Sequence, residues 1–146
     1  MTTPSQTCAP VGFHAFEDAT GPFFSGMGPL FHKEIAPTQL TLGMHVTQAH
    51  SNLAGIAHGG MLLSLVDTAL GVNLRYARHD MANAVTVSMS SDFLAPVRMG
   101  DWVEAQVTLR KLGKRLAFGD CLLVTNDRDV ALRASAVFHA PLAPKV

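Results

Sequence analysis

The chain has 146 residues, the length of one ordinary domain. Nearly half of them (48%) are hydrophobic and only 15% are charged, which excludes an intrinsically disordered chain. Eleven basic residues balance eleven acidic ones, so the global positive field of a nucleic-acid binder is absent and self-association meets little charge repulsion.

The first 38 residues read as an irregular segment. Gly21, Pro22, Gly26, Gly28, Pro29 and Pro37 block long helices, and five phenylalanines between them (Phe13, Phe16, Phe23, Phe24, Phe31) predict that the segment packs onto the rest. Leu40, Leu42, Met44 and Val46 then alternate with polar or small residues, the period of a half-buried strand. Residues 48–60 form a polar, glycine-rich loop. Residues 60–78 predict one long helix whose apolar side chains cover well over half its circumference, so it is enclosed. Its remaining stripe, Ser64, Asp67, Thr68 and Gly71 with Arg75 at the end, is small and suits a close neighbour or a cleft. Four turn-linked alternating segments follow, at 85–93, 103–110, 116–124 and 130–139. The economical assembly is an α+β layer, one antiparallel sheet with the helix on one face.

No apolar run reaches the roughly 20 residues of a membrane span, because Ser64, Asp67 and Asn73 interrupt the longest one. Residues 1–10 lack the basic and apolar regions of a secretory leader. Two cysteines, Cys8 and Cys121, are too few for a disulfide framework. A cytoplasmic protein with no membrane partner is expected.

Several residues could carry chemistry. Asp67 places a carboxylate in an apolar helix, as a base or as a buried group paired with a neighbouring loop or arginine. His58-Gly59-Gly60 stands where the helix starts, and the first N–H groups of a helix lack intrahelical partners and carry partial positive charge. A carbonyl placed there would be polarised. Asn52 could donate its amide to the same carbonyl, or shape the loop. Thr86 could hold a water, or serve only the strand. Arg110, Lys111, Lys114 and Arg115 cluster around the Gly113 turn as a solvated hairpin tip or a landing place for phosphates. His45, His50 and His58 lack metal-ligand spacing, so no metal site is expected. Gly59 and Asp67 are eight positions apart, roughly 12 Å along one helix. If both act on one substrate, Asp67 must meet Gly59 of an antiparallel second copy, and the active site lies in a dimer interface.

The stretch from Asn52 through His58-Gly59-Gly60 to Asp67 resembles the signature of PaaI-type acyl-CoA thioesterases, in the hotdog-fold superfamily that also holds the 4-hydroxybenzoyl-CoA thioesterases. The likeness extends from about Leu40 to His139, including 93–96 and 113–118. It implies a hotdog fold over 1–146, a sheet wrapped around one central helix, and a homodimer, with a tetramer as a dimer of dimers. It also implies roles. Asp67 would be the catalytic carboxylate, Gly59 the backbone oxyanion donor and Asn52 a second donor. His58 would support them, and Thr86 would orient water. The reading is hydrolysis of an aryl- or medium-chain acyl-CoA, with Arg110, Lys111, Lys114 and Arg115 on the coenzyme A phosphates and no cofactor beyond the coenzyme A of the substrate. The rivals are a hotdog hydratase or dehydratase on acyl-CoA or acyl carrier protein, and a non-catalytic acyl-CoA binder.

Overall fold

The computed structural model describes residues 8–17, 20–126 and 128–145. The segment 1–7, part of the 1–10 stretch read above for a leader, lies outside the described residues, as do Asp18, Ala19, Asp127 and Val146. The chain runs β1 (His14–Ala15), α1 (Pro22–Ser25), β2 (Phe31–Ala36), β3 (Gln39–His45), α2 (Gly59–Ala77), β4 (Val85–Phe93), β5 (Trp102–Leu112), β6 (Leu116–Thr125) and β7 (Val130–His139). The strands form one antiparallel sheet in the order β1-β2-β3-β5-β6-β7-β4. This is the α+β arrangement expected, with α2 contacting β3, β5 and β6.

Helix α2 forms because 60–77 is rich in Leu and holds no proline. Its buried face (Met61, Leu62, Leu65, Val66, Ala69, Leu70) shares one core with Leu42, Met44, Val103, Ala105, Leu123, Leu132 and Phe138 of the sheet. Each such Leu or Val contributes roughly 1.5–3 kcal/mol relative to exposure. Asn73, which interrupts the apolar run, is fully buried and fully used. Its Oδ1 accepts from the Leu40 N–H at 2.9 Å, and its Nδ2 donates to the Leu40 and Ala69 carbonyls at 2.9 Å each. Strand β5 pairs with β3 only over 42–45, so Asn73 takes the place of a neighbouring strand at Leu40.

The N-terminal segment corrects the irregular reading of 1–38. It contains β1, α1 and β2. Strand β2 lacks apolar alternation, since Lys33 to Ala36 are exposed, and it forms through backbone pairing with β3 (Phe31↔Gly43, Lys33↔Thr41). Phe24 and Leu30 of this segment enter the core. On the opposite face of β3, Gly43 lets the Trp102 indole lie flat, for a Cβ there would stand 2.3 Å from the ring. Phe13, Phe31 and His45 close around that indole at centroid distances of 5.0, 5.7 and 4.8 Å.

Strand β4 ends the sheet with one edge unpaired. Val85 and Val87 are 60% and 59% exposed and Phe93 is 52% exposed. A register shift between Thr86 and Ser88 bulges the strand. Strict alternation put Thr86 on the face opposite Met89, Ser91 and Phe93. The bulge reverses that phase: Thr86 now pairs with Phe138 and Met89 with Ala136, both inward-facing residues of β7.

Candidate active site

The reversed phase turns Thr86 onto the helix. Its Oγ1 donates to Asp67 Oδ1 at 2.5 Å. Asp67 is half-buried on the small stripe of α2, whose Ser64, Thr68 and Gly71 are half-buried too. The Thr86 hydroxyl holds one oxygen of the carboxylate. The Thr86 proton is committed to Asp67, so a water at Thr86 would be held by the hydroxyl's lone pairs.

The start of α2 forms the second cluster. His58 is the N-cap, and its Nδ1 accepts the Gly60 N–H at 2.9 Å. The Met61 and Leu62 N–H groups turn to the His58 carbonyl. Among the described residues, the Gly59 N–H is left as the first-turn donor without an intrachain partner. Gly59 also allows a close approach: a Cβ there would stand 3.2 Å from the Phe93 ring. Asn52 shapes its loop. Its Oδ1 accepts from the Ala54 and Ile56 N–H groups at 2.9 and 3.4 Å, which shapes the loop and fixes the amide, leaving Nδ2 to donate elsewhere. An open cleft of about 830 Å³ lies against Asn52 and His58, bounded also by Gln48, Ser51 and Met99.

The chain thus brings its site residues together as two half-sites. Asp67 and Thr86 make one; Gly59, Asn52 and His58 make the other, roughly 12 Å away along α2. Strand β4 touches both, through Thr86 at one end and Phe93 at the other. Phe93 was not singled out by its chemistry, because alternation reads it as one more apolar strand residue; the demand for glycine at 59 is the signal that an aromatic neighbour satisfies.

The basic cluster divides. Arg110 turns to the outer face of the sheet, where its Nε donates to Asp120 at 2.5 Å. That bond is first among the causes that hold the Asp120 carboxyl below its ordinary value; partial burial opposes it and the Ser135 hydroxyl adds to it. Lys111, Lys114 and Arg115 are exposed around the Gly113 turn. That turn sits at the far end of α2, where Arg78 Nη1 donates to the Gly113 carbonyl. Burial pushes the Cys121 thiol up to about 12, so it is no nucleophile. His50 is buried and structural: its Nδ1 accepts from the Thr47 N–H at 2.9 Å and its Nε2 meets the Met27 carbonyl at 2.5 Å. No helix among the described residues is long and apolar enough to cross a membrane.

The sequence and the fold, one antiparallel sheet with a long helix against it, are similar to those of known proteins. Residues 54–132 match the family model of the thioesterase superfamily, and the chain belongs to that family. It is a thioester hydrolase of the hotdog fold. A Pseudomonas aeruginosa protein named for an expected esterase activity is 38% identical over 122 residues, 84% of this chain and 90% of its own. Mouse acyl-coenzyme A thioesterase 13 is 32% identical over 57% of this chain and 59% of its own length. Among solved structures, a mutant form of the phenylacetic acid degradation protein PaaI from Thermus thermophilus superposes with a TM-score of 0.71 at 26% identity, covering 82% of this chain and 98% of its own.

Proposed function

We propose that the protein hydrolyses acyl-CoA thioesters in an active site built from two copies of the chain. The observation that carries this reading is the division of the site into two halves joined by an exposed edge strand. An unpaired edge of nine residues with exposed valines and phenylalanine is a liability unless it is covered. Antiparallel pairing of β4 with a second β4 about a two-fold at Ser90 keeps the inward faces together. It sets Thr86 of one chain beside Phe93 of the partner, and hence Asp67 beside the partner's Gly59. The Gly59 N–H and the Asn52 amide then bind the thioester oxygen and stabilise the oxyanion. Asp67, held by Thr86, drives attack on the carbonyl carbon, by activating water or by attacking itself. The thiolate of coenzyme A leaves as free thiol. Lys111, Lys114 and Arg115 suit the phosphates of coenzyme A, and Arg110 is occupied by Asp120. The outer sheet face carries exposed Leu116, Phe118 and Leu122, which supports a dimer of dimers. The acyl group is aryl or medium-chain, and the location is the cytoplasm.

Thiol release from a panel of phenylacetyl, hydroxybenzoyl and medium-chain acyl-CoAs tests this reading. Asp67→Asn keeps the acceptor for Thr86 and should lose roughly 10²–10⁴ in turnover with the fold intact. Gly59→Val, whose side chain would press on Phe93, should also be inactive. Refolded together, half of the dimers are mixed, and each carries one intact site, so about a quarter of wild-type activity should return. If both variants fold and dimerise yet the mixture stays inactive, the shared site is wrong.

A further inference from the structure

We propose that the cavity between the N-terminal segment and the turn Gln48–His50 receives the acyl skeleton, and that it selects uncharged apolar skeletons. The inference rests on the hydrolase reading above and names where its substrate's tail goes.

The cavity measures about 760 Å³, within the usual range of ligand pockets. Its walls include Phe13, Met27, Phe31, Met44, Ala49 and His50. No charged side chain stands among its described lining residues. His50 offers only ring carbon, because both its nitrogens are spent on Thr47 and Met27. His45, also in the wall, presents no nitrogen at the cavity surface: both are enclosed in the protein, without a hydrogen-bond partner among the described residues. A charged or strongly polar tail would lose its hydration here with little in return. An apolar tail loses only its contact with water.

The cavity is placed for this task. The single turn Gln48–His50 divides it from the Asn52–His58 cleft. Gln48 and Ser51 face the cleft, whereas Thr47, Ala49 and His50 face the cavity. The His58 N–H donates to the His50 carbonyl at 2.8 Å, and Gly59 is the next residue. A carbonyl held at Gly59 and Asn52 therefore begins its acyl chain at this wall. All six wall residues named above precede the 54–132 stretch that matches the family model, so that match leaves the wall unspecified.

The protein carries its own reporter. Trp102 is the one tryptophan in the sequence, and its indole packs on Phe13, Phe31 and His45, all three in the cavity wall. Intrinsic fluorescence is titrated with butanoate, hexanoate, octanoate and phenylacetate, and with glutarate as the doubly charged control. The expected result is a saturable change with Kd falling about 4-fold per added methylene, and no response to glutarate. Ala49→Phe fills the cavity. It should abolish the response and lower kcat/KM at least 10-fold for octanoyl-CoA and phenylacetyl-CoA, with acetyl-CoA unchanged. Ala49→Leu should give the same ordering, more weakly, if the larger side chain prevents folding. Thiol release with no dependence on tail length and no Trp102 response overturns the cavity and leaves the hydrolase standing. So does an equal loss on acetyl-CoA in a folded variant. Tail-dependent fluorescence without thiol release from any acyl-CoA overturns the hydrolase reading, and with it the assignment of the cavity to a substrate tail.

Discussion

Thr86→Val isolates the hydroxyl that holds Asp67. Valine keeps the shape and β propensity of threonine and removes one donor, whose bond to Asp67 Oδ1 spans 2.5 Å. Hydrogen bonds to charged groups contribute about 1.5–3 kcal/mol. If this bond holds the carboxylate in attacking position, that energy appears in the barrier, a loss of about 10- to 150-fold in kcat/KM. The fold should barely notice, because Thr86 is exposed on an edge strand and such substitutions usually stay within about 0.5 kcal/mol. Thr86→Ser restores the donor and should recover rates to within about 3-fold. The assay is thiol release under subsaturating acyl-CoA, beside a thermal melt of each variant. A Val variant that keeps most of its kcat/KM while melting like wild type would refute the positioning role and leave Thr86 as a strand residue.

Lys114→Ala with Arg115→Ala should raise KM for acyl-CoA several-fold and leave a short pantetheine thioester unaffected; equal effects on both would make the turn a solvated hairpin tip. Asn73→Leu strands the buried N–H and carbonyl of Leu40. It should cost about 2–6 kcal/mol and lower Tm by about 5–20 °C, read by calorimetry. Asp120 has a folded pKa below its ordinary 3.8, so its contribution to stability is present above that value and fades as pH falls through the folded one. Asp120→Asn should therefore be less stable than wild type at pH 6, with the gap closing in acid; a gap independent of pH would show that the Arg110 pair is not its source.

Periodicity located α2 and the strands β3 to β7 because their side chains decide their burial. It failed at β2, where Lys33 to Ala36 are exposed and pairing with β3 alone makes the strand. It failed in a more telling way at Thr86, since one extra residue in β4 reverses the face of everything before it and leaves no mark in composition. Asn73 looked like an interruption of the helix, and the reason for it lies in Leu40, 33 residues away. In the candidate site, residue type was legible and division of labour was not. Asn52 read as either a loop former or a donor. The folded loop uses its oxygen for the first; the second stays part of the proposed mechanism. Arg110 looked equivalent to Lys114 until Asp120, paired near it across the β5–β6 ladder, claimed it.

The proposed partner rests on helix geometry more than on any one contact. A single α2 offers a polarising N–H at its first residue and a carboxylate two turns later. The 1.5 Å rise per residue keeps them apart in every helix of this sequence. Moving the carboxylate to the first turn would set its charge beside the oxyanion it must help create. In the proposed dimer, convergence between two antiparallel helices would keep the positive helix end for the oxyanion and leave the carboxylate at mid-helix, away from the terminal dipole. Strand β4 meets the same requirement from the sheet. It touches Asp67 through Thr86 and Gly59 through Phe93, and so reaches both half-sites from the edge of the sheet. Pairing that edge with its own copy would therefore cover the exposed valines and complete two active sites in one step.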